Sequence, residues 1–357
     1  MKPPPETASS ASSAPDVAEA PEESAQITRN SAARESRIVG IGGYRPARSV
    51  PNDEIIRNID SSDEWIRTRS GIASRRWAND EETIVAMSLE AAGKALAHAG
   101  LTPDQIGCVI VSTVTHLYQT PSAAVEIAHR LGTNRAAAFD ISAACAGFCY
   151  GLSLASDMVR GGTAEYVLVI GVERLSDLTD HHDRSTAFLF ADGAGAAVVG
   201  PSGEPAIGPV IWGSDGEHLD LIKQKQEWRD AMFGEGGPEL PALVMQGNAV
   251  FRWASYEMAK VARQALEAAG VTADDLDVFV PHQANDRITT AMARSLKLPD
   301  RVVIARDIVE QGNTSAASIP LALERLLETG DARSGQLALL IGFGAGLVYG
   351  AQVVRIP

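Results

Sequence analysis

The strongest constraint in this chain is that it repeats itself. Residues 95–104 (ALAHAGLTPD) run into the apolar Cys108-Val109-Ile110-Val111, and residues 265–274 (ALEAAGVTAD) run into Val278-Phe279-Val280. Both copies read as a helix end, a Gly cap, an Asp-containing turn and a buried strand. A second pair follows in the same order, Asp192-Gly193-Ala194-Gly195-Ala196 and Phe343-Gly344-Ala345-Gly346-Leu347. One Ala/Gly-rich match is weak evidence. Two matches in a fixed order point to a duplicated fold.

The pattern around the repeats alternates helices with short Val/Ile-rich strands. Periodicity predicts helices at 83–99, 122–131, 145–160, 248–269, 284–296 and 316–328. Strands are expected at 107–113, 136–141, 166–171, 194–199, 277–280, 336–341 and 347–354. Near-continuous apolar strands between helices predict an α/β fold whose sheets are covered on both faces. The Gly-Ala-Gly segments are expected to join strands. Residues 1–36 are rich in Ala, Ser, Pro and Glu, lack aromatics, and read as a disordered tail. The expected halves are 37–205 and 206–357, with a crossing near 200–245 where Gly, Pro and charged residues gather.

A net charge of −14 argues against bulk binding to nucleic acid or anionic membrane. It also requires a local basic patch wherever an acidic partner docks. No apolar run is long enough to span a bilayer. Met1-Lys2-Pro3-Pro4-Pro5 leads into no apolar stretch, so no signal peptide is expected. Three Cys, at 108, 145 and 149, are too few and too clustered for a disulfide framework and suit a reducing cytoplasm.

Cys145 stands where the strand ending near Ile141 meets a small-residue helix. Free N–H groups and the helix dipole at that place favour thiolate. A small buried core Cys is the plainer reading, and Cys108 and Cys149 are expected to be that. His282 follows directly after an apolar strand and Pro281. If the repeat is real, it comes to the same crevice as Cys145 at the carboxyl ends of parallel strands; otherwise it is a His held by a backbone carbonyl. Asn313, in Gly312-Asn313-Thr314-Ser315, is a polar partner for such a site or a helix cap. Gly344-Ala345-Gly346 offers a backbone N–H to an oxyanion, or is a tight strand turn.

Taken together, Asp60-Ser61-Ser62-Asp63-Glu64-Trp65-Ile66, Arg69-Ser70-Gly71-Ile72, Ala143-Ala144-Cys145-Ala146-Gly147-Phe148, Val280-Pro281-His282-Gln283-Ala284-Asn285, Gly312-Asn313-Thr314-Ser315-Ala316-Ala317-Ser318 and Gly342-Phe343-Gly344-Ala345-Gly346 resemble the motifs of β-ketoacyl-ACP synthase III. That family comprises the chain-initiating condensing enzymes of fatty-acid synthesis. The resemblance spans 37–357. It implies a thiolase-like fold, with duplicated halves in a five-layered αβαβα arrangement, and a homodimer. It implies that Cys145 attacks an acyl-CoA and holds the acyl group. His282 and Asn313 would bind the malonyl-ACP carbonyl and stabilise the enolate formed as CO₂ leaves. The N–H groups of Cys145 and Ala345 would form the oxyanion hole. No metal or redox cofactor is implied, because decarboxylation drives the condensation.

The same resemblance assigns the CoA end. Trp65 and Arg184 would sandwich adenine, Arg69 would meet phosphate, and Asn248 and Asn285 would line the pantetheine tunnel. Arg287, Arg294 and Lys297 form a candidate basic patch for an acidic acyl carrier protein. Thr120 stands where some acetyl-specific members carry Phe at the floor of the acyl pocket, so a branched or longer primer is expected. Ala345 replaces a Gly of the usual Gly-Gly-Gly, which a backbone N–H tolerates. Thiolase chemistry needs a second Cys near the C-terminus, and none follows Cys149. The alternatives are a priming ketosynthase of a polyketide pathway and, since Cys145, His282 and Asn313 are all present, less readily a non-catalytic partner subunit.

Overall fold

The computed structural model describes residues 34–133, 135–234 and 238–357. Most of the tail expected over 1–36 lies outside these residues, but its end is corrected. Strand pairing already begins at Glu35, Arg34 Nε donates to the Val159 carbonyl at 2.8 Å, and the Ser36 and Ser156 hydroxyls meet at 2.7 Å. These polar contacts carry the strand two residues beyond the apolar pattern that marked its start.

The first half contributes β1 (Glu35–Tyr44), β2 (Ile106–Ser112), β3 (Ala137–Ile141), β4 (Tyr166–Arg174) and β5 (Asp192–Ser202). The second contributes β6 (Ile211–Ser214), β7 (Val278–Pro281), β8 (Val303–Ile304), β9 (Leu337–Gly344) and β10 (Val348–Arg355). The two five-stranded sheets have the orders β1-β5-β4-β2-β3 and β6-β10-β9-β7-β8. Strand for strand these are the same order. The sense agrees too, with two antiparallel pairings followed by two parallel ones in each sheet. The duplication is therefore topological as well as local. We propose the division between halves at 205/206, in the connection between β5 and β6.

Seven helices matter here: α1 (Asp63–Ser70), α2 (Ile84–Ala99), α3 (Ala123–Leu131), α4 (Gly147–Arg160), α5 (Gly247–Ala268), α6 (Asp286–Leu296) and α7 (Ser318–Thr329). One apolar cluster holds Phe148, Leu152 and Val159 of α4 and Ile319 and Leu323 of α7 between Ile110 and Val169 of one sheet and Val280 and Leu340 of the other. A second cluster packs α2 and α3 on the outer face of the first sheet, and a third packs α5 and α6 on the outer face of the second. The layers are thus αβαβα, with α4 and α7 in the middle.

The sequence repeat has a physical origin in chain reversal. Gly100 and Gly270, at the ends of α2 and α5, take φ of +67° and +69°, the left-handed region that glycine enters without a Cβ clash. Each is followed by a one-turn helix with a capping box, Thr102 with Gln105 and Thr272 with Asp275. Each then enters a buried parallel strand.

Asp192-Gly193-Ala194-Gly195-Ala196 is corrected from a turn to the interior of β5, whereas Gly344-Ala345-Gly346 does connect β9 to β10. A Cβ on Gly195 would meet Pro320 Cγ at 2.6 Å, so this glycine serves the close packing of α7 rather than a reversal. Strands β1 and β6 were not read from the sequence, and neither was the ribbon of Ile222–Gln224 with Leu243–Met245. The last of these strands are short and half-buried, so they leave little apolar alternation to detect. Among the described residues no helix is long and apolar enough to cross a membrane.

The central layer also sets a sharp limit on side-chain size. A Cβ on Gly171 of β4 would sit 2.2 Å from the Ala316 carbonyl oxygen, in the turn that begins α7. Backbone cannot yield as a flexible side chain can. Gly171→Ala is expected to cost about 2–3 kcal/mol of stability, read as a lower urea midpoint at unchanged m-value.

Candidate functional site

Cys145 lies in the 3₁₀ turn Ala144–Ala146, which hands over to α4 at Gly147. The thiol therefore stands just ahead of the helix expected to begin there. Ala144, its neighbour, is held at φ +43°. The strand β9 passes directly beneath, where a Cβ on Gly344 would lie 2.9 Å from Cys145 Sγ, Cβ and N alike. Glycine at 344 is what lets the β9–β10 turn, with Ala345, approach the nucleophile turn.

His282 follows β7 and is 2% exposed. Its backbone N–H donates to the Ile341 carbonyl at 2.7 Å, continuing the parallel ladder to β9. Its Nδ1 meets the Ser318 hydroxyl, also at 2.7 Å. That hydroxyl accepts the Gln283 N–H at 3.3 Å, so its own proton is free to go to Nδ1. The arrangement favours the tautomer with the proton on Nε2. Burial pushes His282 down to about 3, so the imidazole is neutral through the working range.

Asn313 is held by both halves. Its N–H donates to the Leu189 carbonyl and its carbonyl accepts the Ala191 N–H, a parallel bridge beside Phe190. Its Oδ1 accepts the Ser315 N–H at 2.9 Å, which leaves the Nδ2 protons as the donors on offer.

Burial pushes the Cys145 thiol up to about 12, against a weaker influence of the nearby Ser315 hydroxyl that pulls the other way. The expected thiolate is therefore not the resting form. Desolvation disfavours the charged form, and the proton must leave during the reaction. Cys108 and Cys149 are buried and apolar in their surroundings, as expected of packing residues.

Two cavities meet at Cys145. One, of about 600 Å³, runs from Trp65, Arg69 and Arg184 to Cys145, His282 and Asn313. Asn248, Asn285 and Arg287 stand in its wall. The Arg184 guanidinium lies 4.7 Å over the Trp65 ring, and Arg69 lies 6.0 Å from it. Trp65 is steadied by an edge contact with Phe188 at 5.5 Å. Asn285 caps α6 through Oδ1 and donates Nδ2 to the Arg69 carbonyl, which fastens α1 to α6. Arg287 lies 4.8 Å over Phe251 and belongs to this mouth, while Arg294 lies farther along α6 and Lys297 just beyond its end, both exposed.

The second cavity, of about 710 Å³, has Cys145, Ser315 and Ala345 at its inner end and Leu175, Leu178, Phe190, Trp228 and Leu243 in its wall. Thr120, expected in an acyl pocket, is corrected here: it is exposed and absent from this wall, although Gln119 and Ser122 line it. The loop turns outward, leaving Leu117 and Tyr118 59% and 73% exposed. Sequence reading missed Ser318 and Glu173. The first is an ordinary helix-start serine by pattern. The second is a lone acid ending the apolar run of β4, which was the available signal.

Comparisons with known proteins agree with this architecture. Family models described as 3-Oxoacyl-[acyl-carrier-protein (ACP)] synthase III and its C-terminal region match residues 139–216 and 266–356. The Beta-ketoacyl-[acyl-carrier-protein] synthase III of Streptomyces glaucescens is 68% identical over 90% of this chain and 96% of its own. The solved priming β-ketosynthase of the R1128 polyketide biosynthetic pathway superposes with a TM-score of 0.89, at 49% identity, covering 93% of this chain and 98% of that one. The synthase III of Aquifex aeolicus VF5 gives 0.83 at 38% identity, covering 90% and 99%.

Fold and likeness together define a thiolase-fold condensing enzyme, an acyltransferase that forms carbon–carbon bonds by a Claisen-type reaction. Within that class, the chain belongs to the β-ketoacyl-ACP synthase III family.

The buried His282 leaves a mark on acid stability. An unfolded histidine titrates near about 6.5, well above the folded value. Stability is full above about pH 6.5 and falls as pH drops below it, because the unfolded chain binds the proton that the folded one refuses, by up to about 1.4 kcal/mol per pH unit. His282→Gln is expected to show a shallower loss of urea midpoint between about pH 6.5 and 5. Equal slopes would mean that the imidazole is not held neutral.

Proposed function

We propose that this enzyme condenses an acyl-CoA primer with malonyl-ACP to give 3-ketoacyl-ACP, the initiating step of fatty-acid synthesis. The single observation that carries the reading is the placement of Cys145 at the junction of the two cavities, with His282 and Asn313 on one side of it only. The first cavity suits a phosphopantetheine arm entering from Trp65 and Arg184. The second suits the acyl chain.

In the first half-reaction the Cys145 sulfur attacks the thioester carbonyl. The N–H groups of Cys145 and Ala345 receive the developing oxyanion, and CoA leaves as the thiol with the proton that Cys145 gives up. In the second, malonyl-ACP occupies the vacated arm. Its thioester oxygen accepts hydrogen bonds from His282 Nε2–H and Asn313 Nδ2–H. Loss of CO₂ leaves the electron pair in the enolate those donors stabilise, and its carbon attacks the acyl-Cys145 carbonyl to expel the sulfur as a thiolate, which takes up one proton from solvent to restore the thiol. A neutral imidazole suits this role, since it donates without a net charge to repel or trap.

Trp65 and Arg184 stack on the CoA adenine, Arg69 meets its phosphate, and Asn248 and Asn285 border the arm. Arg287, Arg294 and Lys297 receive the acidic carrier protein on an otherwise acidic chain. The exposed Leu117 and Tyr118 support a homodimer. Three free thiols support a reducing, cytoplasmic setting. A volume of about 710 Å³ supports a primer larger than acetyl. The polyketide-priming relative at 49% identity favours a second reading, the same condensation on another carrier protein.

Incubation with mixed acyl-CoAs followed by mass analysis of the Cys145 peptide is expected to find a branched or longer acyl adduct in preference to acetyl. A strict acetyl preference would overturn the pocket assignment. Cys145→Ala is expected to abolish condensation. His282→Ala and Asn313→Ala are expected to lower condensation by about 10²–10³-fold while leaving Cys145 acylation within about tenfold. Equal losses in both half-reactions would contradict the division of labour.

A further inference from the structure

Close enough to Cys145 to act on its thiol lies an acid that the condensation does not use. Glu173 of β4 is fully buried. Its Oε2 accepts from the Thr115 hydroxyl at 2.7 Å, the Val114 N–H at 3.1 Å and the Thr113 hydroxyl at 3.3 Å. Its Oε1 has no formed hydrogen bond, and neither has the Ser315 hydroxyl. The Ser315–Ala317 turn packs on β4, where a Cβ on Gly171 would meet the Ala316 carbonyl oxygen at 2.2 Å, and Ser315 lines one cavity with Cys145 and with Thr113, a donor to Glu173. Ser315 thereby acts on both the Glu173 carboxyl and the Cys145 thiol. Ser315 itself is fixed at φ +48° by the same turn that holds Asn313.

No basic side chain compensates Glu173 among the described residues. Arg174, its neighbour, pairs with Asp177 at 3.0 Å. Asp192 on β5 is taken up by Ser176 and the Ala78 N–H, and His282 is neutral. Three donors on one oxygen and none on the other is an arrangement that a protonated acid completes, with the proton on Oε1. An ionised one leaves a buried, unpaired charge beside the sulfur.

We propose that Glu173, acting through Ser315, is a positioning residue that governs when the Cys145 thiol can give up its proton. Burial raises the carboxyl to about 7, so it changes charge near neutrality. When neutral it permits the thiolate. When ionised it opposes a second negative charge across Ser315. The proposal deepens the reading of Cys145 as the acyl carrier. It is tested without any acyl substrate, so its failure is separate from failure of the condensation reading.

The experiment is the rate of iodoacetamide alkylation of Cys145 in the full chain, from about pH 6 to about pH 10, followed by peptide mass analysis. In the wild type the rate is expected to rise tenfold per pH unit up to neutrality, flatten over about one unit, then resume its rise. Glu173→Gln is expected to match the wild type on the acid side, show no plateau, and run on the order of tenfold faster above it. Superimposed profiles, or a constant factor at every pH, would assign Glu173 to packing alone and overturn the proposal. Should Glu173→Gln fail to fold, Thr115→Val removes the shortest hydrogen bond to the carboxylate. The plateau is then expected to start about one pH unit higher. A plateau that does not move, or a wild type without one, also overturns it.

Discussion

The site depends on a close backbone crossing between the two halves, made possible by missing side chains. Gly171 of β4 lies under the Ser315–Ala317 turn, and Gly342 of β9 lies under the Ala144–Ala146 turn, where Cβ atoms would come within 2.2 and 2.8 Å of carbonyl oxygens. The two contacts are related by the duplication, since β4 and β9 hold the same place in their sheets and the two turns lead into the two central helices. Even the strained residues correspond: Ala144 at φ +43° and Ser315 at φ +48° occupy the first position of each turn.

From that symmetric frame the two halves diverge in chemistry. The first-half turn carries Cys145, and the matching position of the second half is Ala316. The second half instead contributes His282, Asn313 and the hydroxyls of Ser315 and Ser318. Burial then sets the character of each group. It holds His282 neutral and Cys145 as a thiol. A dry interior makes hydrogen bonds to a developing charge count for more than they would in water, and it also makes every unpaired charge costly. Glu173 sits where that cost is felt by the nucleophile.

Much of this was legible in the chain. Helices α2 to α7 and the buried strands other than β1 were placed to within a few residues because their apolar periodicity is strong, and two of the helix ends are marked by Gly100, Gly270 and the following Thr turns; α1 and β1 were not read. Cys145, His282 and Asn313 were recognisable from their motifs and do line one cavity. The half-buried edge strand β6 left no such pattern. Gly193 and Gly195 were misread as a turn because glycine that reverses a chain and glycine that admits a neighbouring helix look alike in sequence. Thr120 was read as a pocket residue from its position in a motif, but loop direction is decided by packing.

What the sequence by itself determined is the alternating α/β pattern, its duplication, and the identity of the reactive groups. These are local, since periodicity, capping and residue chemistry are carried by neighbours along the chain. What only the tertiary structure decided is which groups share a volume and in which protonation state. The thiol at the meeting of two cavities, the tautomer of His282 set by Ser318, and the unpaired oxygen of Glu173 across Ser315 all join residues from distant segments. Desolvation belongs to the packed molecule, and a helix-end argument for thiolate made from the local sequence could not weigh it.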